Sequence, residues 1–330
     1  MLSIIEEKFV SLWKLRFSLI GTLAAIIGLS TLFFTIILSL AGVSIMLLPF
    51  IVVGFNIIQW LVAPYIINAM YRAKEVKPQE DPKLHEIVDR LSQKSRIKKP
   101  KLMKAQMPIP NAFAYSSPIA GTRVAVTTGL LDTLETEEVE AVIGHELGHL
   151  KHRDVQVMMF VSILPAIFYY IGYSMLLSSM FGSRDSRDSG GAAIIGLASI
   201  LLYWILTIFT LYLSRIREYY ADRHSVSVVE DGSRKLSEGL AKIVNSTNNI
   251  KHSHRRNTNN SNAFKALFIS DPDRSEVDSA TLMQLRINSS DRKLVEEVLR
   301  KKITTFDRIM EIFSTHPNIV KRLRALQELS

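Results

Sequence analysis

Apolar residues are concentrated in four long segments of the chain, and none of the four contains a charged side chain. The segments are 17–40, 43–67, 155–181 and 192–213. Each exceeds the roughly 20 residues that a helix needs to cross about 30 Å of hydrocarbon. Because a buried helix of a soluble protein seldom stays uncharged over such a length, the pattern predicts four transmembrane helices.

The first segment is interpreted as a retained anchor rather than as a signal peptide. Its apolar run is too long for a signal peptide, and the residues before it are mixed in charge. No small-residue cleavage site is obvious after it. We therefore expect two complete transmembrane hairpins in an integral membrane protein.

A polar stretch follows each predicted hairpin. The sequence thus divides into a transmembrane hairpin, 1–70, the first part of a cytoplasmic domain, 71–154, a second hairpin, 155–213, and the second part of the domain, 214–330. Neither polar part is long, so we expect the two to fold together as one domain.

Local patterns predict the secondary structure of the polar parts. Apolar positions at helical spacing after Asp81 predict an amphipathic helix, and further helices are predicted in the last third of the chain. The β-rich runs at 101–105, 111–115 and 123–128 predict a small antiparallel sheet. The expected fold class is a mainly α membrane protein that carries an α+β domain.

Charge distribution predicts the orientation in the membrane. The net charge is +9, but the basic residues gather beside the apolar segments instead of on a recognition helix, so nucleic acid is not an expected partner. With four crossings these residues all fall on one side, which the positive-inside rule makes cytoplasmic. They are Lys14, Arg16, Arg72, Lys74, Lys77, Lys151, Arg153, Arg215 and Arg217. The expected partner of the apolar segments is membrane lipid.

The stretch "VEAVIGHELGHLKHRDV" has the spacing of a zinc-binding helix. His145 and His149 are four residues apart, so both can reach one ion from the same helix face. Glu146 is placed to take a proton from a water that zinc activates, which is the chemistry of hydrolysis. The chain contains no cysteine, so any metal must be held by nitrogen and oxygen ligands.

A catalytic zinc site needs a third protein ligand, and Glu218 in "REYYAD" is the favoured candidate. Asp222 lies four residues later and could accept the outer N–H of a ligating histidine. Alternatively, both acids only pair with nearby arginines on a solvated helix. His152 is more typical of a polar residue at a helix end, and His224 is left as structural.

The motifs together resemble those of the HtpX-like membrane zinc metalloproteases, which are related to the CAAX prenyl proteases. The resemblance rests on "HELGH" between two hydrophobic hairpins, "REYYAD" after the second, "PNAFAY", "TTGLL" and "THPNIVKRL", and it covers nearly the whole chain. It implies a zincin-like protease domain of the gluzincin type at the cytoplasmic side of the cell membrane. It also implies quality control of misfolded membrane proteins.

The same resemblance implies roles for individual residues. One Zn²⁺ per chain would be bound by His145, His149 and Glu218, with Glu146 as the catalytic base. His316 resembles a tail histidine that steadies the oxyanion, and Arg322 resembles an arginine that holds this region. Unfolded or misfolded substrates would add an extended strand to the one formed by Asn111, Ala112, Phe113 and Ala114. By pattern alone, Asn111 is equally a turn residue and His316 a helix-start residue.

Three other functions are weighed against this one. An intramembrane zinc protease is disfavoured, because charged residues flank the motif and no further apolar segment carries an aspartate ligand. A CAAX-type prenyl protease shares the chemistry but would need a larger membrane chamber. A catalytically inactive scaffold with a metal site is the non-enzymatic alternative. The polar stretch at 250–262, which contains His252 and His254, is interpreted as a mobile loop.

Overall fold

The computed structural model describes residues 47–181, 189–253 and 291–329. The helices of these residues are α1 (Leu48–Met70), α2 (Pro82–Ser95), α3 (Thr128–Thr133), α4 (Thr136–Lys151), α5 (Asp154–Phe181), α6 (Ser189–Val228), α7 (Gly232–Ser253), α8 (Asp291–Arg300), α9 (Thr305–Ile312) and α10 (Ile319–Gln327). The strands are β1 (Lys74–Glu75), β2 (Lys101–Ala105), β3 (Ala112–Ser117) and β4 (Gly121–Thr127).

Three of the described helices are long and apolar enough to cross a membrane. Their membrane-capable stretches are Phe50–Met70 in α1, Asp154–Met180 in α5 and Gly190–Val228 in α6. They coincide with three of the predicted segments, while the predicted segment 17–40 lies outside the described residues. Helix α6 is 40 residues long and continues well past the predicted end at residue 213.

The small sheet is mixed, so the prediction of an antiparallel sheet is wrong. The strand order is β1-β2-β4-β3. Strand β4 enters between β2 and β3 and runs parallel to β2, whereas it is antiparallel to β3. The predicted runs do form strands, but local sequence patterns do not specify which strands become neighbours. The very short β1, antiparallel to β2, was not predicted.

Two further differences concern the ends of helices. Helix α7 reaches Ser253, so the first residues of the predicted loop at 250–262 are helical, and 254–262 lie outside the described residues. Helix α4 begins at Thr136, and the cap residue is Glu135, which forms a reciprocal capping box with Glu138. That box satisfies backbone N–H groups that would otherwise lack partners at the start of the helix.

The described residues divide into two compact units. One contains 47–56, 161–181 and 189–207, and the other contains 57–160, 208–253 and 291–329. In the second unit, helix α4 is packed among α2, α3, α7 and the strands β3 and β4. Its Val142 and Leu147 are fully buried in a single apolar core with Leu91, Leu236 and Leu240. This burial fixes the helix that carries the zinc-binding spacing.

A glycine at the start of α3 allows another part of the chain to approach very closely. The amide of Gly129 donates to the carbonyl of Met107 at 2.9 Å. A Cβ atom at Gly129 would lie 2.0 Å from the carbonyl oxygen of Pro108, which is far inside van der Waals contact. The segment that leads into β3 is thus held against α3 by a glycine-dependent contact.

We predict that Gly129→Ala lowers the free energy of unfolding by about 1–3 kcal/mol, the usual cost of overpacking. Gly239→Ala in α7 is the matched control, because its added Cβ would make only ordinary contacts at 3.5 Å or more. Helix propensity favours alanine at that position by up to about 1 kcal/mol. Thermal unfolding in detergent measures both changes, and equal effects of the two substitutions would contradict the prediction.

Candidate metal centre

The two histidines of α4 point their Nε2 atoms toward each other. The distance between His145 Nε2 and His149 Nε2 is 3.2 Å, and the two rings are nearly perpendicular. His145 is fully buried, and Glu146 beside it is also buried. The helical spacing of four residues therefore brings two nitrogen donors together inside the protein.

Glu218 approaches both histidines from α6. Its Oε2 atom is 3.6 Å from His145 Nε2, and its Oε1 atom is 3.5 Å from His149 Nε2. Glycines on α4 allow this approach: a Cβ at Gly148 would lie 3.0 Å from Ala221 Cα, and one at Gly144 would lie 3.1 Å from Ser225 Oγ. Larger residues at these two positions would push the helices apart.

The three donors have the spacing of a metal site. Ligand atoms of His145, His149 and Glu218 lie within 4.8 Å of one another. For four ligands at about 2.0–2.1 Å from a tetrahedral ion, neighbouring donors are about 3.4 Å apart. The two Nε2 atoms are 3.2 Å apart, and a different Glu218 oxygen faces each histidine, Oε2 at 3.6 Å and Oε1 at 3.5 Å. The donor set therefore fits a metal ion.

The outer nitrogen of each histidine faces a carboxylate. His145 Nδ1 is 2.8 Å from Asp222 Oδ1, and His149 Nδ1 is 2.6 Å from Asp154 Oδ2. When each Nδ1 carries the proton, each Nε2 presents the lone pair that a metal would need. Carboxylates at the outer nitrogens also fix the orientation of the imidazole rings.

The contact of His149 with Asp154 also affects ionisation. Burial by itself would lower the pKa of His149, but the hydrogen bond to Asp154 and the charges of Glu218 and Glu146 raise that pKa to about 9. The acids around His149 therefore favour a positive charge at this ring.

Arg322 connects two carboxylates of α6. Its guanidinium donates to both oxygens of Asp222, from Nε at 2.9 Å and from Nη2 at 2.6 Å. Its Nη1 atom is 3.2 Å from Glu218 Oε2. Burial lowers the pKa of Arg322, but the charges of Asp222 and Glu218 more than compensate and raise it. The arginine thus stays charged and holds both carboxylates in place.

The charges around the candidate centre leave an excess of negative charge. Four carboxylates face two guanidiniums, so with neutral histidines the cluster carries a formal charge of −2. A divalent cation would balance this charge, whereas burying it without a counterion is costly. The groups are Glu146, Asp154, Glu218, Asp222, Arg217 and Arg322.

His316 approaches Glu218 from the segment that precedes α10. Its Nδ1 atom is 3.4 Å from Glu218 Oε2, and the side chain is buried. Its Nε2 atom makes no hydrogen bond within the described residues. The backbone at His316 is fixed through the side chain of Ser314, which donates to the His316 carbonyl at 2.9 Å. A polar ring held in this way is available to a bound ligand.

The predicted substrate strand forms one edge of the sheet. Ala112, Phe113 and Ala114 belong to β3, the last strand in the sheet order, and β3 packs beside α4. Asn111 is fully buried just before the strand, and its backbone N–H donates to Thr127 Oγ1 at 2.9 Å. Asn111 therefore fixes the point at which β3 begins.

The two histidines left aside in the sequence are outside the ligand group. His152 is the exposed cap at the end of α4. His224 is buried, and its Nε2 atom is 2.8 Å from Ser95 Oγ on α2. These contacts agree with the structural interpretation of His224.

Sequence reasoning missed Asp154 and its partner Arg217. Asp154 lies five residues after His149, which is not a same-face spacing on one helix. The helix ends between them, and Arg153 adopts a left-handed conformation with φ of 55°. This turn brings Asp154 back toward His149, while Arg217 Nε is 2.9 Å from Asp154 Oδ1. The sequence "KHRD" does not by itself predict the left-handed turn at Arg153.

Comparisons with known proteins match this arrangement. The model of Peptidase family M48 matches residues 78–330. A protease HtpX homolog of Thermoplasma acidophilum is 36% identical over 324 residues, covering 97% of this chain and 94% of the relative. A protease HtpX homolog of Picrophilus torridus is 37% identical over 327 residues, covering 96% and 98%. The crystal structure of S. mikatae Ste24p has a TM-score of 0.55 and 17% identity, over 98% of this chain and 69% of that one, which shows a shared fold.

Membrane-capable helices and a buried group of two histidines and a glutamate define the class of membrane metalloproteases. The chain belongs to peptidase family M48. Its similarity to the HtpX homologs extends over nearly its full length and includes the apolar segments. The prediction of a multi-pass membrane protease with the HtpX-like resemblance is confirmed.

We predict that Asp154→Asn weakens metal binding by about 10- to 100-fold, because an amide does not hold His149 with a charged hydrogen bond. Asp89→Asn is the control, since Asp89 makes an exposed ion pair with Lys99 on the surface. Competition with a chromogenic chelator measures the affinity directly. Equal zinc affinity in the two variants would contradict a role of Asp154 in orienting the ligand.

Proposed function

We propose that this metalloprotease is a zinc-dependent endopeptidase. The observation that carries the proposal is the convergence of His145 Nε2, His149 Nε2 and the Glu218 carboxylate, with one ligand atom of each residue within 4.8 Å of the others. A donor set of two imidazoles and one carboxylate, without thiolate, is typical of catalytic Zn²⁺ with a position left for substrate or water. Bound there, Zn²⁺ would polarise the peptide carbonyl and lower the pKa of water.

The side chains around the donors have separate roles in this proposal. Glu146 takes the proton of the attacking water and passes it to the leaving amine nitrogen. His316 donates a hydrogen bond to the oxygen that becomes negative during attack, and its buried ring with a free Nε2 supports this role. Asp222 and Asp154 orient the two histidines, and Arg322 keeps Asp222 and Glu218 in position.

Substrates are proposed to bind as extended strands of unfolded or misfolded protein. Strand β3, with Ala112, Phe113 and Ala114 directly after Asn111, is an edge of the sheet and lies beside α4. Backbone pairing with an edge strand accepts many sequences, because the hydrogen bonds come from the main chain. Such tolerance suits quality control of membrane proteins, which the similarity to HtpX homologs also favours.

The proposed location is the cell membrane, with the site on the cytoplasmic side and one Zn²⁺ per chain. The basic residues that flank the apolar segments support this orientation through the positive-inside rule. Prenyl-protein processing of the CAAX type remains the second candidate. The likeness to Ste24p shows the fold alone at 17% identity, so it does not favour that substrate.

We predict that Glu146→Gln retains zinc but lowers the rate of casein cleavage by about 10²- to 10⁴-fold, the usual contribution of a general base. Glu137→Gln on the same helix is the control, because Glu137 is half exposed and pairs with Arg234 at the surface. Metal content by mass spectrometry and peptide release are measured together. Unchanged cleavage by the Glu146→Gln variant would contradict the assignment, and a prenylated CAAX peptide assayed in parallel distinguishes the second candidate.

Topology is tested on the sequence between the third and fourth apolar segments. If four segments cross, a tag inserted at 182–191 faces away from the cytoplasm and is cleaved by protease added outside spheroplasts. A tag at the C-terminus is the control and should remain protected. Protection of the first tag and cleavage of the second would place the active site on the opposite side of the membrane.

A further inference from the structure

Helix α9 carries an apolar face that the described chain leaves exposed. Ile309, Ile312 and Phe313 are 49%, 41% and 49% exposed. Their spacing of three and four residues places them on one side of the helix. The other side is anchored: Met310 is buried, and Glu311 accepts from the amide of Asn318 at 3.0 Å. A fixed helix with a clustered apolar face is typical of an interaction surface.

Arg215 fixes the end of this helix at the level where α6 leaves its apolar stretch. Its Nη1 atom donates to the carbonyl of Ile312 at 3.1 Å and to that of Ser314 at 2.8 Å. Arg215 lies only two residues beyond the uncharged run that ends at residue 213. At about 1.5 Å per residue, the residue that holds the end of α9 therefore lies within one helical turn of the apolar stretch.

The neighbouring surface of α6 is itself apolar and aromatic. Phe209 and Tyr212 are both exposed, and the Arg215 guanidinium lies 5.7 Å from the centre of the Tyr212 ring. Tyrosine and arginine at the end of an apolar helix are typical of the membrane–water interface. Lipid is the expected surrounding of this part of α6. The α9 face therefore adjoins a surface that is expected to contact lipid.

A second, independent contact ties the turn between β3 and β4 to α1. Trp60 Nε1 donates to the carbonyl of Ser116 at 3.1 Å, and Ser117 Oγ donates to the carbonyl of Leu61 at 3.2 Å. Both α1 residues belong to the membrane-capable stretch Phe50–Met70. At the tip of the turn, Ile119 is 60% exposed. An exposed isoleucine is thus held beside an apolar helix.

We propose that the α9 face inserts into the interfacial layer of the phospholipid bilayer and that Ile119 contacts lipid beside α1. The Arg215 tether holds the α9 face near the end of the apolar stretch of α6, and the contacts of Trp60 and Leu61 hold the Ile119 turn beside the membrane-capable stretch of α1. Amphipathic helices bury one apolar face in the interfacial layer. Exposed Lys302 and Arg308 near α9 would contact anionic headgroups. Because Phe313 precedes His316 by only three residues, the segment that carries His316 would lie at the lipid surface. This inference goes beyond the proposed peptidase activity and does not depend on it.

The test uses single cysteines, since the natural chain contains none. Ile309→Cys, Phe313→Cys and Ile119→Cys are each labelled with an environment-sensitive NBD dye and reconstituted into phosphatidylcholine–phosphatidylglycerol vesicles. Arg292→Cys on α8 is the control, because its side chain is 86% exposed and carries a charge. Quenching by doxyl-labelled lipid is compared with quenching by aqueous iodide, and thermal unfolding identifies any variant that does not fold.

We expect blue-shifted emission and a lipid-to-iodide quenching ratio several-fold higher at 309, 313 and 119 than at 292. Ratios at 309 and 313 that equal the ratio at 292 would overturn the proposal. Blue-shifted emission without lipid quenching would also overturn it, because a protein surface would then cover the face. Omitting phosphatidylglycerol should reduce the lipid quenching at 309 and 313, since the basic residues then lose their anionic partners. Zinc loading and peptidase activity do not enter this measurement.

Discussion

The structure of the site depends on one electrostatic constraint: the two histidines that face each other must be held in one orientation and surrounded by negative charge in a buried place. Asp154 contributes by hydrogen bonding to the outer nitrogen of His149, and Asp222 contributes by lying against the outer nitrogen of His145. Their own charges are in turn held by Arg322 and Arg217. Without these arginines, the carboxylates would repel one another, and the geometry of the three donors would not persist.

This constraint explains why the site draws on distant parts of the chain. Helix α4 supplies two donors, α6 supplies the third together with Asp222, and α10 supplies Arg322. Gly144 and Gly148 have no side chains, so α6 can pack close enough to α4 to bring its carboxylates to the histidines. The "HELGH" motif therefore contains a packing residue as well as the proposed ligands, since Gly148 faces the backbone of Ala221.

The sequence predicted those features that depend on local spacing. Three apolar segments follow from uncharged length, and the zinc-type helix and the strand runs follow from local patterns. Glu218 was the favoured third ligand from its place in the sequence, and the resemblance added Arg322; the structure brings both beside the histidines. Pairing order in the sheet and the turn at Arg153 were not predictable, because they depend on contacts between residues far apart or on one unusual backbone conformation. Asp154 was missed for the second reason.

The unbroken length of α6 has a mechanical consequence. The helix passes from an uncharged stretch to Glu218 and Asp222 without interruption, and a helix advances about 1.5 Å and turns about 100° per residue. Along this helix, the direction of both carboxylates is therefore set by the number of residues that separate them from the uncharged stretch. One residue inserted before Glu218 would rotate its side chain by about 100° to another side of the helix. An insertion in this stretch would keep the direction of Glu218 only if it added close to a whole number of helical turns.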